Sequence, residues 1–281
     1  MSKFDTPQPI SVSLEALVGN VEIVASDRSD TVVEVHAGDP AKKADVTAAR
    51  QTLVECAGDV LTVKAPKSWR QWTPWGGYES IEVRIELPSG SRLRAAVGVG
   101  SLRGSGSIGE CHFRTGLGDI QLEEAGPLEL KSGTGKVGVD RAIGRSLIKT
   151  AGAVRIGRAE GPLVVKNGNG DTWLGETAGE TQVTAANGAI VIEAAQASVS
   201  AKSANGDVRI GEAAAGTVVA QTSLGAVEVG VRDGVAAWLD LETKFGAVEN
   251  ELGAAQRPGP GEEAVEIRAR TSMGRIAIHR S

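Results

Sequence analysis

Three aspartates that recur in one local context are the residues best suited by type to acid and base chemistry. Asp119, Asp171 and Asp207 each follow a glycine directly. Carboxylates on one face of a β-rich protein could cleave a polysaccharide, but that reaction needs an acid and a base about 5 to 9.5 Å apart. The repeats between the first two place Lys136 and Ala153 at this position. Strands three repeats apart are separated by about 14 Å, so the pattern predicts solvated turn aspartates and makes a polysaccharide-active enzyme the least favoured function.

The histidines, serines and glycine-rich segments form no catalytic or metal-binding motif. His36, His112 and His279 are far apart in the chain and show no HxH or HExxH spacing. The GNGD and TGTG segments look like phosphate-binding loops, but no helix pattern follows them, so the amide array of a phosphate site is missing. Nothing singles out one serine as a nucleophile. We therefore predict no catalytic residue, no metal and no cofactor, and we interpret the chain as non-enzymatic.

Four aromatic residues are concentrated in one short segment, KAPKSWRQWTPWGGYES. Trp69, Trp72, Trp75 and Tyr78 are three residues apart in a chain that has only five Trp, one Tyr and three Phe. A proline and two adjacent glycines exclude a regular helix, but an irregular or polyproline-type loop can present a period of three on one face. With Arg70 as a polar neighbour, this face is our candidate contact for a partner protein or a glycan.

Composition and charge narrow the fold class and the partners. Glycine accounts for 37 of 281 residues and aromatics for 3%, which favours short strands and many turns. The net charge of −5 is spread along the chain without a basic run, so nucleic-acid binding is not predicted. No signal segment and no stretch of about 18 apolar residues is visible, so we predict a cytoplasmic protein without membrane insertion. Cys56 and Cys111 are then expected to be buried free thiols.

In the last two thirds of the chain a glycine recurs at intervals of 17 to 19 residues, and the interval lengthens only near the end. These glycines are Gly100, Gly118, Gly135, Gly152, Gly170, Gly188, Gly206, Gly225, Gly246 and Gly274. Apolar residues two and usually four positions later alternate with other types, which is typical of a half-buried strand. Such a strand cannot close a core within its own repeat, but it can stack on the next one. The sequence therefore predicts an all-β protein, a parallel β-solenoid with coils of about 17–19 residues.

The residue before the glycine is asparagine in three successive repeats, Asn169, Asn187 and Asn205. We expect either a stacked amide ladder or a left-handed turn at this corner, since asparagine suits both. Either arrangement is structural and requires no ligand.

We interpret the chain as a single β-solenoid domain over residues 10–281. The predicted parts are a flexible tail at 1–9, an irregular N-terminal β layer at 10–95 with a Trp-rich loop at 66–79, and regular coils at 96–281 with an inserted loop at 254–264. Because the aromatic loop precedes the regular coils, it either covers an end or a lateral sheet of the solenoid or forms an exposed binding patch.

The chain stops in full repeat register, with Ile276 and Ile278 following Gly274. If these residues formed the outermost coil, its backbone groups and apolar column would face water, a liability that pairing with another chain removes. We therefore predict self-association, most simply a two-fold dimer, with Ile276 and Ile278 as the candidate edge. The inserted loop at 254–264 is the alternative cover for this end.

Three segments share a pattern of strand, turn and glycine: SIEVRIELPSGSRLRAAVGVGSL, TGLGDIQL and SANGDVRI. In these segments the chain resembles the putative-adhesin family of β-strand-repeat domains, a group of unknown function, and the resemblance covers most of its length. The resemblance implies a β-helical solenoid and supplies no catalytic residues.

The favoured function is that of a non-enzymatic structural or interaction protein, a rigid β-solenoid scaffold or assembly unit with a protein partner or a second copy of itself. A regular repeat without a converged polar site supports this function. The alternative is a carbohydrate-binding or surface-adhesive module that uses the aromatic loop. A glycan array separates the two.

Overall fold

The computed structural model describes residues 1–66, 79–252 and 264–281. These residues fall into two compact units, Met1–Val139 and Asp140–Ser281, which are described in turn. Nearly all of the regular structure in both units is β-strand, as the repeat predicts. The single-domain interpretation stays a prediction.

Unit 1 begins with irregular strands and a helix and continues with regular coils. Its described elements are β1 (Ser2–Asp5), β2 (Ser11–Ser26), β3 (Asp30–Ala37), α1 (Lys43–Gln51), β4 (Leu53–Ala57), β5 (Val60–Lys64), β6 (Ser80–Pro88), β7 (Arg92–Val99), β8 (Leu102–Ile108), β9 (Cys111–Leu117), β10 (Ile120–Ala125), β11 (Leu128–Thr134) and β12 (Val137–Ala142). The boundary of the unit falls within β12.

The long strand β2 organises the first half of unit 1. Its first part pairs in parallel with β5 on one edge and β7 on the other, so that Glu15 lies opposite both Lys64 and Ala96. Its second part pairs in parallel with β6 and β8. Alternate residues of the strand, such as Val21 and Ile23, are buried. One continuous strand therefore supplies both faces of the first coil.

The prediction of a flexible tail at residues 1–9 is wrong for the first strand. β1 pairs antiparallel with β3, and the Lys3 ammonium lies 2.9 Å from the Asp30 carboxylate. Thr6 is buried, and its hydroxyl forms a 2.7 Å hydrogen bond with the hydroxyl of Thr31. Backbone pairing and polar contacts hold this segment in place. Such contacts leave no apolar alternation in the sequence, and the sequence pattern therefore does not predict the strand.

The sequence pattern does not predict helix α1. The buried residues of this helix are Asp45 and Ala48. The Asp45 carboxylate accepts a hydrogen bond from the backbone N–H of Asp39 at 3.2 Å and lies 3.1 Å from the Lys42 ammonium. A nine-residue helix with so few buried positions has no clear helical period, and it depends on its contacts with β3 and β6.

Each regular coil of unit 1 contains two strands that meet at a corner glycine. β10 stacks in parallel on β8, with Ile120 opposite Leu102, and β11 stacks in the same way on β9. A Cβ on Gly118 would lie 2.0 Å from the carbonyl oxygen of Gly100 in the preceding coil. Only glycine allows successive corners to approach this closely, which explains why one glycine recurs in each coil.

Unit 2 consists of further coils of the same kind. Its described strands are β13 (Ser146–Thr150), β14 (Val154–Ala159), β15 (Leu163–Asn169), β16 (Thr172–Thr177), β17 (Thr181–Asn187), β18 (Ile190–Ala195), β19 (Val199–Asn205), β20 (Val208–Ala213), β21 (Gly216–Leu224), β22 (Val227–Val231), β23 (Ala236–Phe245), β24 (Val248–Asn250), β25 (Ala264–Met273) and β26 (Ile276–Arg280). Val183 lies opposite Val165 in one neighbouring coil and Ala201 in the other, and all three are fully buried. The predicted parallel β-solenoid is confirmed.

The asparagine column forms the predicted amide ladder. The side-chain amide of Asn187 donates to Oδ1 of Asn169, and that of Asn205 donates to Oδ1 of Asn187, both at 2.9 Å. The left-handed alternative is wrong, because among the described residues only glycines have a positive φ. Gly188, with φ at 119°, takes that conformation directly after Asn187.

The last coils of unit 2 are not stacked in the order of the chain. β25 pairs in parallel with β21 on one edge and with β23 on the other, so that Thr271 lies opposite both Thr222 and Thr243. β26 likewise lies between β22 and β24. The final coil of the sequence is therefore inserted between two coils that precede it in the chain.

Ile276 and Ile278 consequently lie in the interior, and both side chains are 0% exposed. The prediction that they form the self-association edge is wrong, because the glycine motif sets the register within a coil and does not say which coil is its neighbour. The Arg280 guanidinium donates to the carbonyl oxygens of Arg232 at 3.1 Å and Val235 at 2.7 Å. These bonds tie the inserted coil to the turn between β22 and β23. Self-association itself stays a prediction.

Candidate functional site

The residues predicted to contact a partner, Trp69, Arg70, Trp72, Trp75 and Tyr78, lie outside the described residues. Their role as a binding patch or as a cover therefore stays a prediction. The structure does describe the surface of unit 1 from which the chain enters this segment.

That surface carries a groove of about 730 Å³. We call it the loop-side groove and define it by Leu17, Pro66, Ala96, Gly98 and Arg114, which line it. Pro66 is the last described residue before the aromatic segment. The groove therefore includes the point at which the described chain stops before the predicted contact residues.

Five parallel strands contribute one residue each to a row that crosses the groove, and four of these residues, all except Lys64, line it. Glu15 of β2 lies opposite Ala96 of β7, and Ala96 lies opposite Arg114 of β9. β11 adds Lys131 opposite Arg114, and β5 adds Lys64 opposite Glu15. Their side chains point away from the core, because the strand residues on either side of Ala96 are buried. The row has three cations and one carboxylate around a small apolar centre.

The next level of the groove has almost no side chains. A Cβ on Gly98 would lie 2.6 Å from the carbonyl oxygen of Leu17, and a Cβ on Gly116 would lie 2.7 Å from that of Gly98. Close approach of the strands therefore requires glycine at both positions. The result is a smooth floor beside Leu17, whose side chain is partly exposed.

Some of the charged side chains along this groove are neutralised by ion pairs. The Lys131 ammonium contacts the Glu129 carboxylate, and this hydrogen bond holds the pKa of Glu129 below its usual value. Lys64 lies 3.9 Å from Glu15. Arg114 is 3.9 Å from Glu129, too far for a hydrogen bond, and its side chain is 69% exposed. Arg114 is the cation of the groove most available to a ligand.

A second groove of unit 1, about 600 Å³ in volume, is lined largely by charged residues. Arg84 donates to the Glu22 carboxylate at 2.8 Å, and this bond raises the pKa of the guanidinium. His36 lies 3.4 Å from Glu34. Because its main charges are paired with one another, we consider it a weaker candidate than the loop-side groove.

The aspartate column accepts backbone hydrogen bonds from the following coil. Oδ1 of Asp119 accepts from the N–H of Lys136 at 2.7 Å, and Oδ1 of Asp171 accepts from the N–H of Ala189 at 2.9 Å. Asp207 does the same for the N–H of Ala226 at 2.7 Å. The predicted turn aspartates are therefore structural acceptors between coils as well as exposed side chains.

The histidines pair with separate carboxylates. His112 lies 2.7 Å from Glu110, which holds the pKa of that carboxyl below its usual value, and His279 lies 3.3 Å from Glu228. Across the described ranges, no group of three or more histidine, cysteine, aspartate or glutamate side chains is arranged to hold a metal ion.

Both cysteines are free thiols, as predicted, but only one is fully buried. Cys111 is 0% exposed, and burial raises the pKa of its thiol to about 12. Cys56 is half-buried, so the expectation of burial is wrong for this residue. It lies on β4, whose alternate residues face solvent.

Two tryptophans of unit 2 differ in their surroundings. The Arg155 guanidinium lies 4.0 Å above the ring of Trp173, and the indole N–H donates to Glu193 at 3.0 Å. Trp238 on β23 is 58% exposed and was not among the predicted contact residues. The alternation in AAWLDLETKF could have identified it, because it places Trp238 on the same face of the strand as Asp240 and on the other face from Leu239.

The comparison with known families gives a clear match. A model of the Toastrack DUF4097 family matches residues 10–245, which is most of the chain. The chain belongs to the Toastrack DUF4097 family. This confirms the resemblance to a putative-adhesin family of β-strand-repeat domains. Among curated proteins, none matches the chain.

Several solved structures match this Toastrack chain over nearly its whole length. A "putative adhesin" from Parabacteroides merdae is 9% identical, with a TM-score of 0.46 and coverage of 100% of this chain and 95% of the other. A "putative adhesin" from Parabacteroides distasonis is 12% identical, with a TM-score of 0.44 and coverage of 98% and 95%. A "putative lipid binding protein" from the same species is 13% identical, with a TM-score of 0.29 and coverage of 100% and 95%. Identities and TM-scores this low carry no argument about function.

The Toastrack family does not by itself define a substrate or a partner. In the part of the chain that the structure describes, no helix has the length and apolarity to cross a membrane. Among the described surfaces, we consider the loop-side groove the best suited to binding because its floor is apolar and Arg114 is exposed beside it.

Proposed function

We propose that this chain is a non-enzymatic interaction protein that binds a protein partner at the loop-side groove, with the β-solenoid as a rigid scaffold. The observation that carries the proposal is the smooth floor formed by Gly98 and Gly116 beside Leu17, with Arg114 exposed at its side. An apolar floor with a few polar groups at its rim suits a segment that brings apolar side chains and an acid.

The role of the aspartates supports a non-enzymatic function. Asp119, Asp171 and Asp207 each accept a backbone hydrogen bond, and these bonds stabilise the turns between coils. A general acid or base must lie within hydrogen-bond reach of the substrate atom whose proton it gives or takes. The backbone hydrogen bonds give the aspartate column a structural role that involves no substrate.

A parallel screen of a random peptide library and a glycan array tests the proposal. The purified protein and its Ala96→Glu variant are compared on both. Ala96 is exposed, so the variant leaves the core intact while it places a bulky carboxylate in the centre of the groove. We expect peptides with apolar and acidic residues to be enriched by the native protein and lost with the variant.

A matched control makes the outcome specific. Lys202 is exposed on β19 of unit 2, so a Lys202→Glu variant changes surface charge outside the groove and should retain the peptides. Binding of glycans instead of peptides, lost with Ala96→Glu, would support the carbohydrate-binding alternative. Peptide binding that is unaffected by Ala96→Glu, or no binding on either surface, would reject the groove as the site.

A further inference from the structure

The outermost described coil of unit 2 has an open edge. β23 pairs only with β25, and β24 pairs only with β26, within the residues that the structure describes. Phe245 is 71% exposed, and Val248 is also exposed. An apolar edge strand with unpaired peptide groups is a template for another strand.

The backbone of β23 shows which peptide groups face this edge. The N–H of Gly274 donates to the carbonyl oxygen of Phe245 at 3.0 Å, so the carbonyl of Phe245 points towards the inserted coil. Successive peptide groups of a strand point to alternate sides. The N–H and C=O groups of Glu242 and Lys244 therefore point to the open edge.

The sequence around Thr243 is complementary to itself in the antiparallel direction. It reads LETKF, so pairing two copies about Thr243 places Glu242 opposite Lys244 of the second copy, twice. Leu241 then lies opposite Phe245 of the second copy, also twice. The N–H and C=O groups of Glu242 and Lys244 point to the open edge, so these two residues would form hydrogen-bonded pairs with the second copy. Opposite charges at directly opposed positions are favourable.

Neighbouring registers that keep the same backbone phase bring like charges together. Centring the pairing on Glu242 places this residue opposite its own copy, although it also places Asp240 opposite Lys244 of the second copy. Centring it on Leu241 places Asp240 opposite Glu242. Centring it on Lys244 places two ammonium groups face to face. The arrangement about Thr243 is the register among these that forms two opposite-charge pairs and no like-charge pair.

A row of exposed apolar side chains of unit 2 ends at the same edge. Leu224, Met273 and Phe245 lie side by side in register at one corner, and all three are exposed. Leu239 and Leu241 of β23 are only half-buried, although Ile267, opposite Leu239, is fully buried beneath them. A strand added to β23 would cover inward-facing residues that the outermost coil leaves partly exposed.

We propose that the open edge of β23 binds a second copy of this chain, in a two-fold dimer joined by antiparallel β23 strands in the Glu242–Lys244 register. An isologous contact requires a surface that is complementary to itself, and LETKF meets this requirement in charge, backbone phase and apolar pairing. The Lys244 side chain has no ion pair among the described residues, whereas Glu242 lies 3.6 Å from Arg270 of the inserted coil. The proposal is independent of the loop-side groove.

Charge reversal at the two paired positions is the test. Glu242→Lys alone and Lys244→Glu alone each bring like charges together twice, so we expect the dimer dissociation constant to rise at least about tenfold. The double variant carries LKTEF and restores both opposite-charge pairs, so it should dimerise like the native protein. Mixing the two single variants should give a heterodimer, because one copy then carries lysine at both positions and the other carries glutamate at both. Sedimentation velocity of the full chain from about 1 to 100 µM measures all four cases.

Two further variants make the test specific to the edge of β23. Lys202→Glu makes the same charge change on β19, which is paired on both edges, and should leave the dimer unchanged. A native protein that stays monomeric, or a dimer that ignores the reversals, would overturn the proposal. A dimer seen only after deletion of residues 253–263 would also overturn it, by assigning the edge to that segment. The segment contains Pro258 and Pro260, which have no N–H to pair with a strand.

Discussion

The amide of Gly274 donates to the carbonyl of Phe245, a residue that precedes it in the chain but follows it in the stack of coils. Because β25 and β26 also pair with β21 and β22, they lie between two coils that follow one another in the sequence. The consequence is that β25 and β26 lie between other strands of unit 2, while β23 and β24 occupy the outermost described position.

The inserted coil predicts unequal costs for two residues of one column. Ile276 lies opposite Val248, but Ile276 is fully buried and Val248 is exposed. Ile276→Ala should lower the free energy of unfolding by about 2–5 kcal/mol, because it leaves a cavity between two coils. Val248→Ala should cost less than about 1 kcal/mol. Urea unfolding measures both, and equal costs would contradict the coil order.

The amide ladder predicts that its central member matters most. Asn187 makes two ladder bonds, whereas Asn205 makes one with Asn187. Asn187→Ala should therefore cost about 1–2 kcal/mol and Asn205→Ala about half as much, because the ladder is exposed and each net hydrogen bond is worth about 1 kcal/mol or less. A double-mutant cycle should find the two changes coupled. Additive costs would show that the bond between Asn187 and Asn205 contributes nothing to stability.

The aspartate column predicts a loss of stability without a loss of binding. Asp171→Ala removes the acceptor for the Ala189 amide and should cost about 1–2 kcal/mol. Asp171→Asn keeps an oxygen acceptor and should recover about half of that. Thermal unfolding measures the stability, and the peptide screen measures binding. If both variants lost peptide binding at unchanged stability, the column would be part of a functional site.

The cysteines predict a difference in reactivity and a loss of stability at high pH. At pH 8, iodoacetamide should modify Cys56 and spare Cys111, which is buried. Burial raises the pKa of the Cys111 thiol from 9.0 to about 12. Between these two pH values the thiol stays protonated in the folded state and ionises in the unfolded state. Stability should therefore be unaffected below about pH 9 and should fall between about pH 9 and 12. Cys111→Ala should remove this part of the pH dependence, and an unchanged slope would contradict the assignment.

The aromatic segment allows a direct test of its two interpretations. If Trp69, Trp72 and Trp75 contact a partner, replacing all three with serine should abolish binding of the peptides selected by the groove and change the Tm little. If they cover part of the core, the same replacement should lower the Tm by several degrees, since large buried aromatics contribute strongly to stability. Calorimetry alongside the binding assay distinguishes the outcomes.

Local pattern was sufficient to predict the coil of this protein. The corner glycine recurs because a Cβ on Gly118 would meet the backbone of the preceding coil, and this constraint is repeated in every coil that stacks in the same way. The alternation after the glycine records which side of the strand faces the core. The asparagines could be read as a ladder because identical residues at one coil position become neighbours when coils stack in register.

Other features depended on contacts that leave little trace in the sequence. β1 is held by backbone pairing and by polar contacts such as that of Thr6 with Thr31, and α1 is held by packing on neighbouring strands. For the loop-side groove, the predicted aromatic contacts came from composition and spacing alone. Leu17, Ala96 and Arg114, which line the groove, come from three strands far apart in the chain, and the tertiary fold brings them together.

The amino-acid sequence by itself determined the repeat period and the parallel β-solenoid fold, because both follow from residues within one coil and its similar neighbours. For the asparagine corner it left the ladder and the left-handed turn as alternatives, and the structure decided between them. The tertiary structure alone decided the order of the last coils, and with it the burial of Ile276 and the exposure of β23. The physical reason is that every coil presents the same backbone spacing and the same corner glycine. The inserted coil therefore satisfies the register equally well against β21 and β23, and only the complete packing selects its place between them.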